Sequence, residues 1–184
     1  MQRLFVAIDL PLPVKRELAG ICRGLPGARW VADEQIHLTL RFIGEVDNGR
    51  VQDIREALAG IRRAAFALRL VGPAVFPPHG QPRVLWAGVE PVEPVVALRD
   101  KVESLLVRLG LEPEGRQFSP HVTMARLRDT PVAGLTSYLA GKVLFTSSEF
   151  EVDVFHLFSS VLTRKGAIHR LEASYPLNQR HHGR

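Results

Sequence analysis

The chain has 184 residues, 46% hydrophobic and 23% charged, with 24 Lys and Arg against 19 Asp and Glu for a formal net charge of +5. This is the composition of an ordinary globular protein long enough for a substantial core, and it excludes a disordered or low-complexity chain. The single cysteine, Cys22, excludes an internal disulfide, while the basic surplus favours a polyanionic partner without naming one.

The first residues carry no long apolar signal region, and no later stretch approaches the roughly 20 apolar residues a membrane helix needs, so no membrane partner is expected and the default address is the cytoplasm. Leu4 to Asp9 is a short apolar run stopped by Leu10-Pro11-Leu12-Pro13, which fits a buried strand. A helix should follow, with Val14, Leu18, Ile21, Cys22 and Leu25 recurring at three- and four-residue steps and Pro26-Gly27 as its stop. That places Cys22 in the core. His37 to Ile43 alternates as a strand. After Gly44 a helix is expected through Val51, Ile54, Leu58 and Ile61, capped by Asp47 or Asn48, and then a strand over Phe66 to Val71.

Gly72 to Pro82 is dense in Pro and Gly and reads as a loop linking two halves, with His79 as a solvated loop residue. Val84 to Pro91 then echoes Leu4 to Pro11: a buried strand ending in an acid and a proline. Val95, Leu98, Val102, Leu105, Leu106 and Leu109 form one helical stripe closed by Gly110. After a polar loop comes a second alternating strand from His121. Thr130-Pro131 reads as an N-cap and first-turn proline for a short helix through Leu135 and Leu139. Val143 to Leu162 suggests one or two strands, Ile168 to Leu177 a last one, and Asn178 to Arg184, with His181 and His182, a frayed tail.

One pattern occurs in both halves: His37-Leu38-Thr39-Leu40 and His121-Val122-Thr123-Met124, separated by 121 − 37 = 84 residues. With strand, helix, motif strand, helix and strand performed twice, the expected architecture is α+β. It is a single domain over 1–184 with two pseudo-symmetric lobes, roughly 1–75 and 82–177, each an antiparallel sheet with helices on one side and an active-site cleft between them. Strict alternation puts His37, Thr39 and Arg41 on one face of the first motif strand and Leu38, Leu40 and Phe42 on the other.

A lone histidine on a strand is usually structural, and threonine is common in strands for its shape alone; the duplication reverses that reading. Histidine can act as acid or base near neutral pH, and a threonine hydroxyl can hydrogen-bond a phosphate oxygen, so two such pairs could grip one phosphodiester from opposite sides. Two histidines without nearby Cys, Asp or Glu at ligand spacing fall short of a metal site, so neither metal nor cofactor is expected. His156, in an aromatic run, reads as a satisfied histidine in or beside the core, and His169 could line the cleft but has no Thr two residues on.

The chain resembles the two-histidine phosphoesterase superfamily, and within it the prokaryotic RNA 2',3'-cyclic phosphodiesterases, also called 2'-5' RNA ligases. The likeness rests on Arg3 to Pro11, His37-Leu38-Thr39-Leu40-Arg41-Phe42-Ile43-Gly44, Pro82 to Val89, and Phe118 to Arg126. It implies hydrolysis of a ribose 2',3'-cyclic phosphate at an RNA end, tRNA-derived ends included, to a 2'-phosphomonoester by a metal-independent monomer. In the family's usual assignment the first motif histidine donates a proton and the second accepts one, so His37 would protonate the departing 3'-oxygen while His121 activates water. Thr39 and Thr123 would bind the phosphate. The family's arginine after the second motif falls on Arg126, which strict alternation places opposite His121 and which therefore needs a twist or bulge to reach the phosphate. Arg41 has the right parity on its own strand, and Phe5 is expected in the core rather than stacked on a base. Where the family often has Gly-Pro-x-Tyr, this chain has Gly166-Ala167-Ile168-His169. Two rival readings are a 2'-5' ligase using the same residues in reverse and a non-catalytic module that binds RNA ends.

Overall fold

The apolar N-terminal run forms β1 (Gln2–Asp9), and prolines at its end turn the chain into α1 (Leu12–Ala19), which buries Val14 and Leu18. A computed structural model describes residues 1–178; of the tail expected to fray from Asn178 on, Asn178 is instead tied down, its N–H donating to the Arg63 carbonyl at 2.9 Å and its carbonyl accepting from the Ala65 N–H at 2.7 Å, and the rest, with His181 and His182, lies outside the described residues. After β2 (Ala28–Trp30) and a 3-10 turn (Asp33–Gln35) come β3 (His37–Val46), α2 (Asn48–Leu58) and β4 (Phe66–Phe76). The second half supplies β5 (Val84–Glu90), α3 (Glu93–Arg108), β6 (Val122–Leu127), α4 (Val132–Lys142) and β7 (Phe150–Val152), and a hairpin of β8 (Val154–Thr163) and β9 (Gly166–Pro176) closes the chain.

Local signals explain most boundaries. Asp47 caps α2, its carboxylate accepting from the Arg50 N–H at 2.9 Å. At α4 the cap is Pro131, with no side-chain hydrogen bond, and the Thr130 hydroxyl is buried without a partner, so the expected threonine cap is not made. The expected linker begins late, because β4 continues to Phe76 against β5. His79 does lie in an exposed loop, and Cys22 is half-buried against the core with its thiol pushed up to about 11 by burial and then by Asp33.

All nine strands among the described residues join one antiparallel sheet in the order β7-β4-β5-β6-β3-β1-β8-β9, with β2 also on β6. The α+β class holds. The division of strands differs from the expected lobes at 1–75 and 82–177, however. β4 leaves the first half of the sequence to pair with β5, and β8–β9 leave the second to pair with β1. Each half-sheet is therefore built from both halves of the chain. Nearest-neighbour pattern cannot reveal this, because a buried strand looks the same whichever neighbour it pairs with.

Leu4, Val6, Ile8, Leu38, Leu40, Leu85, Val122 and Met124 point to one side of the sheet, where Val14, Leu18, Ile54, Leu58, Leu98 and Leu106 of the helices complete a continuous core. Each such side chain contributes about 1.5–3 kcal/mol through burial. With the helices gathered on that side, the opposite face is left for polar groups. Among the described residues no helix is long and apolar enough to cross a membrane.

Candidate active site

The half-sheets meet at one residue pair, Leu38 of β3 with Val122 of β6, both fully buried on the helix side. Alternation on either side of that pair puts His37, Thr39, His121 and Thr123 together on the open face. Stepping outward from the pair along antiparallel strands sets His37 across from Thr123 and Thr39 across from His121. Exchanging the two motifs maps this arrangement onto itself. Beyond the junction β3 diverges, and β2 takes its place on the edge of β6.

Both histidines are oriented by the same local device. Nδ1–H of His37 donates to the Gln35 carbonyl at 2.6 Å, and Nδ1–H of His121 donates to the Ser119 carbonyl at 2.8 Å. A carbonyl oxygen only accepts, so each neutral ring carries its proton on Nδ1 and leaves Nε2 with a lone pair for chemistry. Neither threonine hydroxyl has a hydrogen-bond partner among the described residues.

A bulge three residues after each motif histidine resets the alternation. Ala7 pairs with Thr39 but Val6 with Arg41, leaving Leu40 as the extra residue on β3; Trp86 pairs with Thr123 but Leu85 with Ala125, leaving Met124 extra on β6. On β6 the consequence is that Arg126, opposite Val84 and exposed, returns to the face of His121 and Thr123. It also lies across from Arg29 of β2, a basic neighbour that sequence reasoning misses. On β3 the same shift removes Arg41 from the site. Arg41 is only 7% exposed and turns to the helix side, where its guanidinium binds Glu103 of α3 and the carbonyls of Phe42 and Glu112. Burial opposes ionisation of Glu103, but the Glu114 N–H, Arg41 and Arg99 outweigh it and hold the carboxyl below its usual range. The expectation that Arg41 contacts substrate is therefore corrected: it is a structural ion-pair partner, and Phe42 occupies the open-face position equivalent to Arg126.

Aromatic rings line both sides. Phe5, 3% exposed, lies under His37 (5.0 Å between ring centroids), Phe42 (6.0 Å), Phe158 (5.3 Å) and His169 (4.9 Å), which agrees with its expected core position. Phe42 itself remains 60% exposed. Across the junction Phe76 and Trp86 stack at 4.7 Å, and both meet the His121 ring in T-shaped contacts at 5.1 and 5.9 Å. These rings come from strands distant in sequence, and only their period-2 placement hints at a shared face. Burial drives the His37 pKa down to about 4, opposed by the bond to Gln35 and reinforced by the neighbouring His169; Asp9 raises it and Lys15 lowers it further. His156 hydrogen-bonds Ser174 Oγ at 2.9 Å and is likewise lowered by burial, as a satisfied histidine beside the site. Among the described residues no three or more His, Cys, Asp or Glu side chains cluster as metal ligands.

Comparison with known proteins gives a consistent picture. The LigT like phosphoesterase family model matches residues 8–86 and 89–169. An RNA 2',3'-cyclic phosphodiesterase of Aeropyrum pernix is 38% identical over 149 residues, 80% of this chain and 84% of that protein. One of Thermotoga maritima is 34% identical over 175 residues, 92% of each. Among solved structures, TT0787 of Thermus thermophilus superposes with a TM-score of 0.80 at 30% identity over 97% of this chain and 100% of that one. E. coli LigT complexed with 3'-AMP superposes with a TM-score of 0.79 at 28% identity over 97% and 99%. With its duplicated His-x-Thr strands on one open sheet face, the chain belongs to the LigT-like phosphoesterases, the two-histidine phosphoesterase family.

Proposed function

We propose that the protein hydrolyses RNA 2',3'-cyclic phosphate ends to 2'-phosphomonoesters, without a metal, as a cytoplasmic monomer. The observation that carries this reading is the pair of equivalent imidazoles on facing strands, each locked in the Nδ1–H tautomer with Nε2 free. In-line displacement at phosphorus needs a base for the attacking water and an acid for the departing 3'-oxygen on opposite sides, and a two-fold related pair supplies both. His121 Nε2 takes the proton from water as the new P–O bond forms. His37 Nε2 delivers a proton as the bond to the 3'-oxygen breaks, and proton exchange with solvent resets the pair. Thr39 and Thr123 donate to the non-bridging oxygens, and Arg126 balances the charge that builds there. 2'-5' ligation passes through the same arrangement when an RNA 5'-hydroxyl takes the place of water as the nucleophile, the bond to the 3'-oxygen breaking in either case.

One observation favours the opposite assignment of acid and base. With its pKa lowered to about 4, His37 is neutral in the empty cleft and so is poised to accept a proton. To act as the acid it must take up a proton together with the phosphate anion. A cyclic substrate with a bridging sulfur at the 3' position decides this, because the thiolate leaves without protonation. The variant lacking the acid recovers on that substrate, and the variant lacking the base does not.

The test of the reading is hydrolysis of a short RNA ending in a 2',3'-cyclic phosphate, in EDTA, by wild type, His37→Ala and His121→Ala. Turnover that survives chelation, is lost in both variants and yields only 2'-phosphate supports it. A folded wild type that binds this RNA without turning it over would replace the reading with a non-catalytic end-binding module.

A further inference from the structure

His169 has no part in the mechanism above, yet it is built into the same face. Its ring lies 5.2 Å from that of His37 at 77° and 4.9 Å from Phe5, and its nitrogens have no hydrogen-bond partner among the described residues. The ring is half-buried and its nitrogens are not sealed from solvent, so they are free to meet a ligand.

The placement is not accidental drift of a hairpin tip. The β8–β9 turn is stiffened by Thr163, whose hydroxyl donates to the Gly166 carbonyl at 2.6 Å and accepts from the Lys165 N–H at 3.2 Å. The strand leaving that turn is then tied down by Gln35, whose side-chain amide donates to the Ala167 carbonyl. The same Gln35, through its own carbonyl, holds Nδ1 of His37. One residue thus holds the His37 imidazole through its main chain and, through its side chain, the β9 backbone two residues before His169.

We propose that His169 is the second imidazole of a phosphate subsite centred on His37, and that this subsite takes the terminal phosphate preferentially in its ring-opened, dianionic form. The inference rests on the hydrolytic reading. A cyclic diester carries one negative charge, whereas the 2'-phosphomonoester, with a second pKa near 6, carries close to two at neutral pH and offers one more acceptor oxygen. Two neighbouring imidazoles that each take up a proton meet that dianion with two charge-assisted hydrogen bonds. Burial lowers the pKa of both rings, so both are neutral in the empty cleft and their protonation accompanies the anion.

The other groups near the pair are largely occupied. Asp9 of β1 is paired with Lys15 of α1 at 3.0 Å, and Arg3 of β1 with Glu45 of β3 at 3.4 Å. Ser160 of β8 faces His169 in register, and His156 of β8 is bonded to Ser174. His169 is therefore the titrating neighbour in ring contact with His37.

The experiment is calorimetric titration of the full-length protein with adenosine 2'-monophosphate, between pH 6.5 and 8.5 in buffers of different ionisation heat, beside KM for the cyclic substrate. Relative to wild type, His169→Gln should take up about one proton fewer on binding, and its affinity for the monophosphate should fall about tenfold more than its affinity for the cyclic diester. His169→Lys, a fixed cation, should keep the affinity while also losing one proton of uptake. Unchanged proton uptake in both variants, or equal weakening toward diester and monoester, would overturn the assignment. A wild type that binds the monophosphate with this proton uptake but does not hydrolyse the cyclic end would overturn the hydrolytic reading and leave the anion subsite standing.

Discussion

His37 and His121 are bound at Nδ1 by the carbonyl two residues upstream, from Gln35 and Ser119 respectively, so a bend in the chain before each strand fixes the tautomer of each ring. Two groups oriented for one proton-transfer event act as a unit. Replacing either by Ala should lower kcat/KM by about 10²–10⁴-fold, and the double variant should be little worse than the poorer single one. Single-turnover hydrolysis of the cyclic RNA end measures this, and fully additive losses would contradict a concerted pair.

The buried state of His37 should be visible in stability as well as in turnover. Its folded pKa, near 4, lies below the ordinary 6.5, so folding favours the neutral ring. The stabilisation is complete above pH 6.5 and is lost as the pH falls toward 4, with a contribution on the order of 3 kcal/mol. Urea unfolding from pH 7 to pH 4 should therefore show wild type losing more stability than His37→Gln. Parallel losses in the two proteins would refute it.

Arg41 and Arg126 should behave in opposite ways although each follows its motif within five residues. Removing Arg41 takes the guanidinium from Glu103 and leaves it the Glu114 N–H and Arg99, so Arg41→Met should cost about 1–3 kcal/mol of stability with kcat/KM per folded molecule little changed. Arg126→Ala, on the open face, should leave the melting temperature within a degree or two and lower kcat/KM by about 10–100-fold. Thermal melts and steady-state rates on the same preparations separate the two. An Arg41 variant that is fully stable but inactive would restore the strict alternation.

Gly27 closes the turn between α1 and β2 at a φ of +78°, where a Cβ would come within 2.4 Å of the Arg128 carbonyl and 2.7 Å of Thr130 Oγ1. Its own carbonyl accepts from the Arg128 N–H at 3.0 Å, so the two segments cannot part without breaking that bond. Gly27→Ala should destabilise the fold by about 2–3 kcal/mol, from the left-handed backbone and the overlap together. Chemical denaturation checks it; a loss below about 0.5 kcal/mol would mean that the loop holding Thr130 yields freely.

Short-range periodicity makes part of the site legible in the amino-acid sequence itself. His37, Thr39, His121 and Thr123 share one face because period-2 alternation holds for the three residues around Leu38 and Val122. It fails at Leu40 and Met124, where one strand gains a residue its neighbour lacks, and no local pattern marks a bulge. Alternation misplaces Arg41 for that reason, and only the family resemblance points to Arg126. The helices declare themselves by their apolar stripes and, at Asp47, by a capping side chain. The cluster of rings around Phe5 owes Phe158 and His169 to β8 and β9 crossing to β1, a pairing choice set by the whole sheet.

That crossing gives the two halves of the polypeptide a mutual dependence. A peptide ending in the 77–83 loop would carry β4 with its partner β5 removed, and β1 with one hydrogen-bonding edge bare. The complementary peptide would carry β8 and β9 with no β1 to join. Each fragment would expose unsatisfied strand edges and be prone to aggregate alone. Mixed together from denaturant, the two should find one another and rebuild the cleft, so cutting the chain at that loop would turn one enzyme into an obligate heterodimer.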